Sequence, residues 1–140
     1  MNRPAGIRIP LSELAARFMC RETRDRTPDE VKSSGLAASI QVVSYVPCDT
    51  LERAHGVWFL CPKCYHQNKG AEGTHHVMCW FEGLVPDDAN PGPGRWTPAG
   101  TGLADLTFVP GELTRATSVQ LTGGCRWHGH IIGGCATVIP

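Results

Sequence analysis

Two pairs of metal-binding side chains stand at matching spacing in the sequence. The first pair is Cys61-Pro-Lys-Cys64, and the second is Cys125-Arg-Trp-His128, which follows two glycines that permit a tight turn. Two thiolates separated by two residues can reach one ion at about 2.3 Å without strain where the chain turns back on itself. Together the pairs predict a Cys₃His site for Zn²⁺ with the ligands Cys61, Cys64, Cys125 and His128.

Such a site predicts a structural ion, because four protein ligands leave no open position for water or substrate. A Cys-x-x-Cys pair can also perform thiol redox chemistry, which normally places it at a helix N-terminus in a thioredoxin-like pattern. Here Cys61 follows the apolar run Val57–Leu60, and polar residues that indicate a loop follow Cys64. The sequence therefore favours metal binding over redox chemistry.

The other cysteines and histidines give weaker signals. Cys79 alternates with Val77 and Phe81 in a strand pattern, which predicts a buried thiol. Three further cysteines have no partner at ligand spacing and are predicted to be core or surface thiols: Cys20, Cys48 and Cys135. The alternatives that stay open as substitute zinc ligands are Cys79, His66, His75, His76 and His130.

The composition predicts one small domain that needs a source of stability beyond apolar burial. The chain has 140 residues, of which 16 are Gly and 11 are Pro, while 41% are apolar and 7% are aromatic. A loop-rich fold must therefore form on a modest core. Thirteen basic residues balance thirteen acidic ones, which argues against a nucleic-acid backbone or an anionic membrane as the main partner.

The N-terminus lacks the apolar run of about 7 to 15 residues that a secretory signal requires. The longest apolar run, Val57–Cys61, is far shorter than the roughly 20 residues of a membrane span. We therefore expect a soluble protein in a reducing cytoplasm. In that compartment seven cysteines indicate metal ligands or reactive thiols before disulfides.

The elements that position these residues change in type along the chain. Apolar residues at helical spacing from Leu11 to Met19 predict an amphipathic helix over residues 11–22. Thr27-Pro-Asp-Glu30 is a capping box that predicts a second, short helix ending near Gly35. From Ala38 onward the apolar period becomes two, which is typical of strands.

The predicted strands are Ser39–Val46, Gly56–Leu60, His75–Phe81, Asp105–Val109, Ser118–Leu121, Gly129–Ile132 and Ala136–Ile139. Their close spacing predicts hairpins and meanders, and so an α+β fold: a small antiparallel β-rich zinc-binding domain with one or two N-terminal helices. We expect an N-terminal helical extension at 1–37 and a β-rich domain at 38–140. The latter contains a long Pro/Gly loop at 84–103, of a length typical of binding or disordered segments.

Residues 55–135 resemble an uncharacterised zinc-binding domain family of tailed phages and bacteria. The resemblance rests on Cys61–Cys64, on Leu106-Thr-Phe followed by Ser118-Val-Gln-Leu121, and on Cys125-Arg-Trp-His128-Gly-His-Ile131. It implies a β-rich zinc-binding fold, a phage origin and the four ligands named above. The implied location is the cytoplasm of a bacterial host, with the virion as an alternative. No activity comes with the resemblance, and the N-terminal helices lie outside it.

Three functional hypotheses follow. The first is a zinc-stabilised phage accessory or interaction protein without catalytic activity, whose partner is a phage or host protein. Its predicted contact residues are Arg95 and Trp96 in the long loop, because Trp and Arg dominate binding hot spots. The equal alternative for Trp96 is that it folds back onto the sheet.

The second hypothesis is a zinc-dependent, hydrolase-like enzyme with an open coordination position, in which His128, His130 or Asp87 moves protons. No Ser-His-Asp order, phosphate loop or deaminase signature accompanies these residues, so no catalytic residue is predicted. The third is single-stranded nucleic-acid binding through Arg95, Trp96, Arg126 and Trp127, which the balanced charge disfavours.

Overall fold

The computed structural model describes residues 6–35, 41–85, 94–112, 115 and 117–138. This part of the chain is small, β-rich and mostly antiparallel, with two short α-helices, as the α+β prediction expects. The strands are β1 (Ile7–Pro10), β2 (Arg17–Arg24), β3 (Val42–Cys48), β4 (Gly56–Leu60), β5 (His76–Phe81), β6 (Arg95–Ala99), β7 (Thr107–Val109), β8 (Ser118–Gln120), β9 (His128–Ile132) and β10 (Cys135–Val138). The helices are α1 (Pro28–Ser34) and α2 (Pro62–Asn68), and short 3₁₀ turns lie at Leu11–Leu14 and Leu51–Arg53.

The strands form two sheets. One has six strands in the order β3-β2-β4-β5-β6-β7, and the other has four in the order β1-β10-β9-β8. The strand pairs are antiparallel except β5 and β6, where Trp80 lies opposite Arg95 and Phe81 opposite Trp96. This parallel pair departs from the expected hairpins and meanders. The connection from Phe81 to Arg95 is long enough for the chain to return to the same end of the sheet.

Both sheets contribute to one hydrophobic core. Phe59 on β4 meets Trp127 edge to face, with ring centroids 5.9 Å apart and an angle of 88° between the planes. Trp127 is fully buried, and its indole N–H donates to the backbone oxygen of Thr137 at 2.9 Å. The turn that carries Cys125 is therefore anchored two residues later by a fully buried tryptophan.

The predicted helix over residues 11–22 is wrong. Leu11 and Leu14 are buried, but on a 3₁₀ turn that ends at Ala15, whose φ is 51°. After this turn the chain extends into β2, where Phe18 and Cys20 are buried and their neighbours are more exposed. The apolar stripe thus combines the three-residue spacing of a turn with the two-residue spacing of a strand.

The second predicted helix is confirmed as α1. The Thr27 hydroxyl accepts from the Glu30 backbone N–H, the Glu30 carboxylate accepts from the Thr27 N–H, and Gly35 ends the helix at a φ of 72°. Arg24 donates to the Glu30 carboxylate at 2.6 Å, and this bond, with the capping bond from Thr27, lowers the pKa of Glu30 to about 2. The capping box and the ion pair together join β2 to α1.

Segments on either side of the predicted boundary at residues 37 and 38 share the same sheets. β1 pairs with β10, and β2 lies between β3 and β4. The predicted Pro/Gly loop at 84–103 contains β6, while residues 86–93, including Asp87, lie outside the described residues. Neither described helix is long and apolar enough to cross a membrane.

Cys20 and Cys48 form a disulfide, which corrects the prediction that both are unpaired thiols. β2 and β3 are antiparallel neighbours, and Cys48 lies opposite Phe18, two residues from Cys20. The two Cα atoms are therefore 5.8 Å apart, within the range that a disulfide spans. The pairing depends on strand register, which residue spacing alone does not reveal.

Candidate metal centre

Cys61 and Cys64 are positioned by the junction of β4 and α2. Cys61 is the N-cap of the helix, and its backbone oxygen accepts from the Tyr65 N–H at 2.8 Å. Pro62 stands at the first helical position, where its missing N–H costs no helical bond. The first turn of α2 therefore sets both thiols on one side of the chain.

His75 is positioned by the pairing of β4 with β5. Leu60 lies opposite His76 in this antiparallel pair, and the Cys61 N–H donates to the His75 backbone oxygen at 2.8 Å. His75 is thus the residue directly across from Cys61, one step beyond the paired strands. Its imidazole can therefore reach the cysteines although the nearest in sequence, Cys64, is eleven positions away.

Cys125 lies in the turn between β8 and β9. Gly124 and Arg126 have φ values of 59° and 56°, and the Arg126 N–H closes the turn by donating to the Gly123 oxygen at 3.1 Å. The Lys63 ammonium donates to the Cys125 backbone oxygen at 2.7 Å, which ties this turn to α2. Of the two glycines predicted to permit the turn, Gly124 has a positive φ, whereas Gly123 does not.

These elements bring three thiols and one imidazole together. The ligand atoms of Cys61, Cys64, His75 and Cys125 all lie within 4.8 Å of one another. Cys61 Sγ is 3.5 Å from Cys125 Sγ, and His75 Nε2 is 3.3 Å from Cys125 Sγ. A tetrahedral ion with bonds of about 2.3 Å has ligand atoms about 3.8 Å apart, so the four residues could hold a metal ion after small adjustments.

The orientation of the His75 ring suits a metal ligand. Its Nδ1 lies 3.1 Å from the His76 backbone oxygen, which can only accept, so Nδ1 must carry the hydrogen of this bond. In the neutral ring the lone pair then belongs to Nε2, the atom that faces the thiols. Metal-binding histidines in proteins commonly have their other ring nitrogen bonded to a carbonyl or carboxylate in this way.

The pKa values of the three thiols are shifted in different directions by their surroundings. Burial raises the pKa of Cys61 to about 12, and burial also raises the pKa of Cys64. At Cys125 burial acts in the same direction, but hydrogen bonds to its sulfur outweigh it and lower the pKa to about 7. They come from His75, when that ring also carries a hydrogen on Nε2, from the Trp127 backbone and from the two other thiols. Cys125 is therefore the thiol whose negative charge the cluster stabilises best.

The redox alternative is weakened by burial and by the other ligands. The Cys-x-x-Cys pair does lie at a helix N-terminus, because α2 occupies the stretch that was predicted to be a polar loop. A catalytic thiol pair, however, needs an accessible cysteine with a lowered pKa. Cys61 is fully buried with a raised pKa, and a third cysteine and a histidine complete a ligand set that redox chemistry does not require.

His128 is not a member of the described cluster. It is the first residue of β9 and is exposed, and its ring centroid lies 6.5 Å from that of His130. Trp127 fills the core one residue earlier, and successive strand residues point to opposite faces. The alternation that buries Trp127 thus turns His128 away from the core, and His75 stands with the three predicted cysteines.

The remaining predicted residues have other surroundings. Cys79 is fully buried on β5, in agreement with the predicted buried thiol, and burial raises its pKa far above the ordinary value. Arg95 is buried on β6 with 5% exposure and donates to the Gly94 oxygen at 2.7 Å. Trp96 stacks on Phe108 with ring centroids 5.7 Å apart, so of its two alternatives the structure favours packing onto the sheet.

Comparison of the chain with protein-family models, with curated proteins and with solved structures finds no match. The resemblance to a phage and bacterial domain family therefore stays a prediction. The assignment of a role rests on the cluster and its surroundings.

Proposed function

We propose that the protein is a zinc-stabilised interaction protein without catalytic activity, in which Cys61, Cys64, His75 and Cys125 hold one structural Zn²⁺. The observation that carries the proposal is the convergence of these four side chains within 4.8 Å. Three thiolates and an imidazole form a ligand set that suits zinc, whereas hard cations such as Mg²⁺ and Ca²⁺ prefer oxygen ligands.

The ion would join three segments that the core holds less firmly. α2 has one buried residue, Pro62, the β8–β9 turn is mostly exposed, and His75 precedes β5 on the surface. Structural zinc contributes about 10 to 16 kcal/mol of apparent free energy in small zinc-finger peptides, as much as the net stability of an entire domain. Zinc bound to three thiolates carries one negative charge, and the Lys63 ammonium beside Cys125 would offset it.

A non-catalytic role is supported by the number of ligands. A catalytic zinc site typically has three protein ligands and an open position for water, whereas a fourth protein ligand closes the site. The enzyme hypothesis needs His128 or His130 to move protons at the ion, but both residues lie on β9 outside the described cluster. Its third candidate, Asp87, lies outside the described residues.

The purified protein is expected to contain one equivalent of zinc, bound by three sulfur atoms and one nitrogen atom. Metal analysis gives the stoichiometry, and X-ray absorption at the zinc edge gives the ligand types. Far less than one equivalent, with no change in stability on adding a chelator, would overturn the zinc proposal. A spectrum that lacks the outer-shell scattering of an imidazole ring would support the enzyme alternative, in which water takes the fourth position.

Replacing His75 by Ala is expected to lower zinc affinity by at least about 100-fold, because loss of a ligand's supporting partner alone costs about 10- to 100-fold. His128→Ala is the matched control: it removes a similarly exposed imidazole that also begins or precedes a strand, and it should leave the affinity unchanged. Competition with a chromophoric chelator measures both. The opposite ranking would make His128 the fourth ligand.

The proposed mode of action is contact with another protein. The balanced charge of the chain supports this over binding to a nucleic-acid backbone. The phage context, with a phage or host protein as the partner, remains part of the proposal through the resemblance at Cys61–Cys64 and Cys125–Ile131. Sequencing the genes beside this one tests it, because neighbouring phage structural or lysis genes would support it and an unrelated operon would contradict it.

A further inference from the structure

A cleft of about 430 Å³ opens next to the metal centre, between β5 of the larger sheet and β8 of the smaller one. Its wall residues are mostly apolar and include Val77, Met78, Trp96, Val119 and Leu121. β8 is an edge strand, and within the described residues β6 pairs with β5 only at Trp80 and Phe81. Two strand edges therefore face the same cleft.

The backbone of β5 presents hydrogen-bonding groups to this cleft. The bonds from Cys61 N–H to His75 oxygen and from Phe81 N–H to His55 oxygen show that the odd-numbered residues of β5 bond to β4. In an antiparallel pair the alternate residues point their N–H and C=O groups to the other side. Met78 therefore points its N–H and C=O away from β4, on the side where β6 pairs only farther along. The His76 groups point the same way, but its oxygen already accepts from His75 Nδ1.

The backbone of β8 presents its free side in the same way. The Leu121 N–H donates to the Trp127 oxygen at 2.8 Å, so Val119 and Leu121 bond to β9 while Ser118 and Gln120 point outward. The bond from the Trp96 indole N–H to the Ser118 oxygen, at 2.9 Å, agrees with this alternation. Gln120 lines the cleft, and its N–H and C=O point away from β9 on that side.

The two strands are held together at both ends of the cleft. At one end His75 and Cys125 approach to 3.3 Å within the metal cluster, and at the other Trp96 bonds to Ser118. The strands run in opposite directions between these points. At about 3.3 Å per residue, the span from His75 to Trp80 accommodates an extended segment of about four residues.

The sequence before β6 is poorly suited to fill this place. Residues 86–93 lie outside the described residues, and in the sequence Pro91-Gly-Pro-Gly94 contains two prolines, which lack the N–H groups that a strand ladder needs. The described residues that line the cleft include no Asp, Glu, Lys or Arg. A neutral segment from another protein, with apolar side chains and every backbone N–H present, fits the walls better.

We propose that this cleft binds a short extended segment of a partner protein, which adds as a strand between β5 and β8. Main-chain hydrogen bonds to Met78 and Gln120 would provide affinity, and the apolar walls would select the side chains, as in other cases of strand addition. The proposal rests on the proposed function as an interaction protein and gives it a binding site and a class of partner. A metal ion bound by His75 and Cys125 would fix the distance between β5 and the β8–β9 turn at one end of the cleft.

The probe is a library of random linear ten-residue peptides, displayed and selected on the full-length, metal-loaded protein. We expect selected sequences to be neutral and apolar and to slow amide hydrogen exchange at Met78 and Gln120. N-methylation of single central peptide residues should weaken binding about five- to tenfold per lost hydrogen bond, at odd and even positions alike, because a strand between two edges bonds on both sides. Failure to select any peptide, or N-methylated peptides that bind as well, would overturn the proposal.

Gln120→Pro tests the same bonds from the protein side. Proline is tolerated on edge strands, and here it removes one outward N–H, whereas the matched variant Gln120→Ala removes the side chain and keeps that N–H. We expect a five- to tenfold loss of peptide affinity, that is about one hydrogen bond, for Gln120→Pro alone. Equal affinities of the two variants would contradict the proposal. If Gln120→Pro does not fold, binding of the N-methylated peptides to the wild-type protein tests the same hydrogen bonds.

Two measurements on the same sample separate this inference from the proposed function. Zinc at one equivalent without peptide binding would overturn the strand-addition site and leave the zinc proposal intact. Peptide binding by a metal-free, folded protein would overturn the zinc proposal and support the strand-addition site. Protection of Met78 and Gln120 in the absence of peptide, together with a dimer in sedimentation, would show that a second copy of this chain is the occupant and would overturn the assignment to another protein.

Discussion

Cys64→Ser is expected to lower the free energy of unfolding of the zinc-loaded protein by about 4 kcal/mol. A serine hydroxyl is a poor zinc ligand, and a ligand bound only to the folded state stabilises it in proportion to the logarithm of its affinity. A 1000-fold weaker affinity therefore corresponds to about 4 kcal/mol. Denaturant titration with and without a strong chelator measures the effect, and the chelator should destabilise the wild type but barely change the variant.

Cys135→Ser is the matched control for this experiment. Cys135 is half-buried like Cys64, but it lies at the start of β10 and is not part of the described cluster. We expect it to change the stability by less than about 1 kcal/mol and to leave the response to chelator intact. Equal effects of the two substitutions would mean that Cys64 acts as an ordinary half-buried thiol and not as a ligand.

The three cysteines of the cluster could be predicted because their spacing carries the geometry. Cys61 and Cys64 are brought together by local structure alone, since two residues between thiols suffice at a turn or the start of a helix. Cys125 was predicted from its two-residue spacing to His128, with support from the two glycines before it, of which Gly124 has a positive φ. The fourth ligand was harder to predict from the sequence. Cys125-Arg-Trp-His128 has the same spacing as Cys61-Pro-Lys-Cys64, but the first pair lies at the start of a helix, whereas the second leads into strand β9.

His75 depends on a register that the sequence does not display. It faces Cys61 because Leu60 pairs with His76, and this pairing extends by one residue across the β4–β5 ladder. Between these strands lie α2 and a turn, so no short hairpin loop fixes the register. The sequence therefore left His75 among five open alternatives. A sharper signal was available: a histidine at the start of a predicted strand is a candidate ligand when the preceding strand ends at a cysteine.

The fold shows the same division between local and long-range information. The capping box at Thr27 and Glu30 predicted α1 well, because its hydrogen bonds lie within four residues. The helix predicted at 11–22 failed where tertiary pairing prevailed: β2 is bonded on both sides, to β3 and β4, and these ladders outweigh a helical apolar pattern. β6 was missed since its strand, Arg95–Ala99, contains a proline and follows a Pro/Gly-rich stretch.

Reduction of the Cys20–Cys48 disulfide is expected to lower the free energy of unfolding by about 3.5 kcal/mol. The bond closes a segment with a sequence separation of 28 residues, and the chain-entropy model gives this value for a loop of that size. The metal content should not change, because β2 and β3 contribute no residue to the described cluster. Denaturant titration with and without a phosphine reductant, with zinc measured in both samples, tests this.

Thiol alkylation in denaturant and chelator counts the free cysteines and so tests the disulfide directly. Seven cysteines less the two in the disulfide leave five that react before reduction, and all seven should react afterwards. The double variant Cys20→Ala/Cys48→Ala is the control, since it should be less stable than the wild type and insensitive to the reductant. Loss of zinc on reduction of the wild type would show that the disulfide and the metal centre are coupled. Seven reactive thiols from the outset would show that strand pairing, and not a covalent bond, holds β2 to β3.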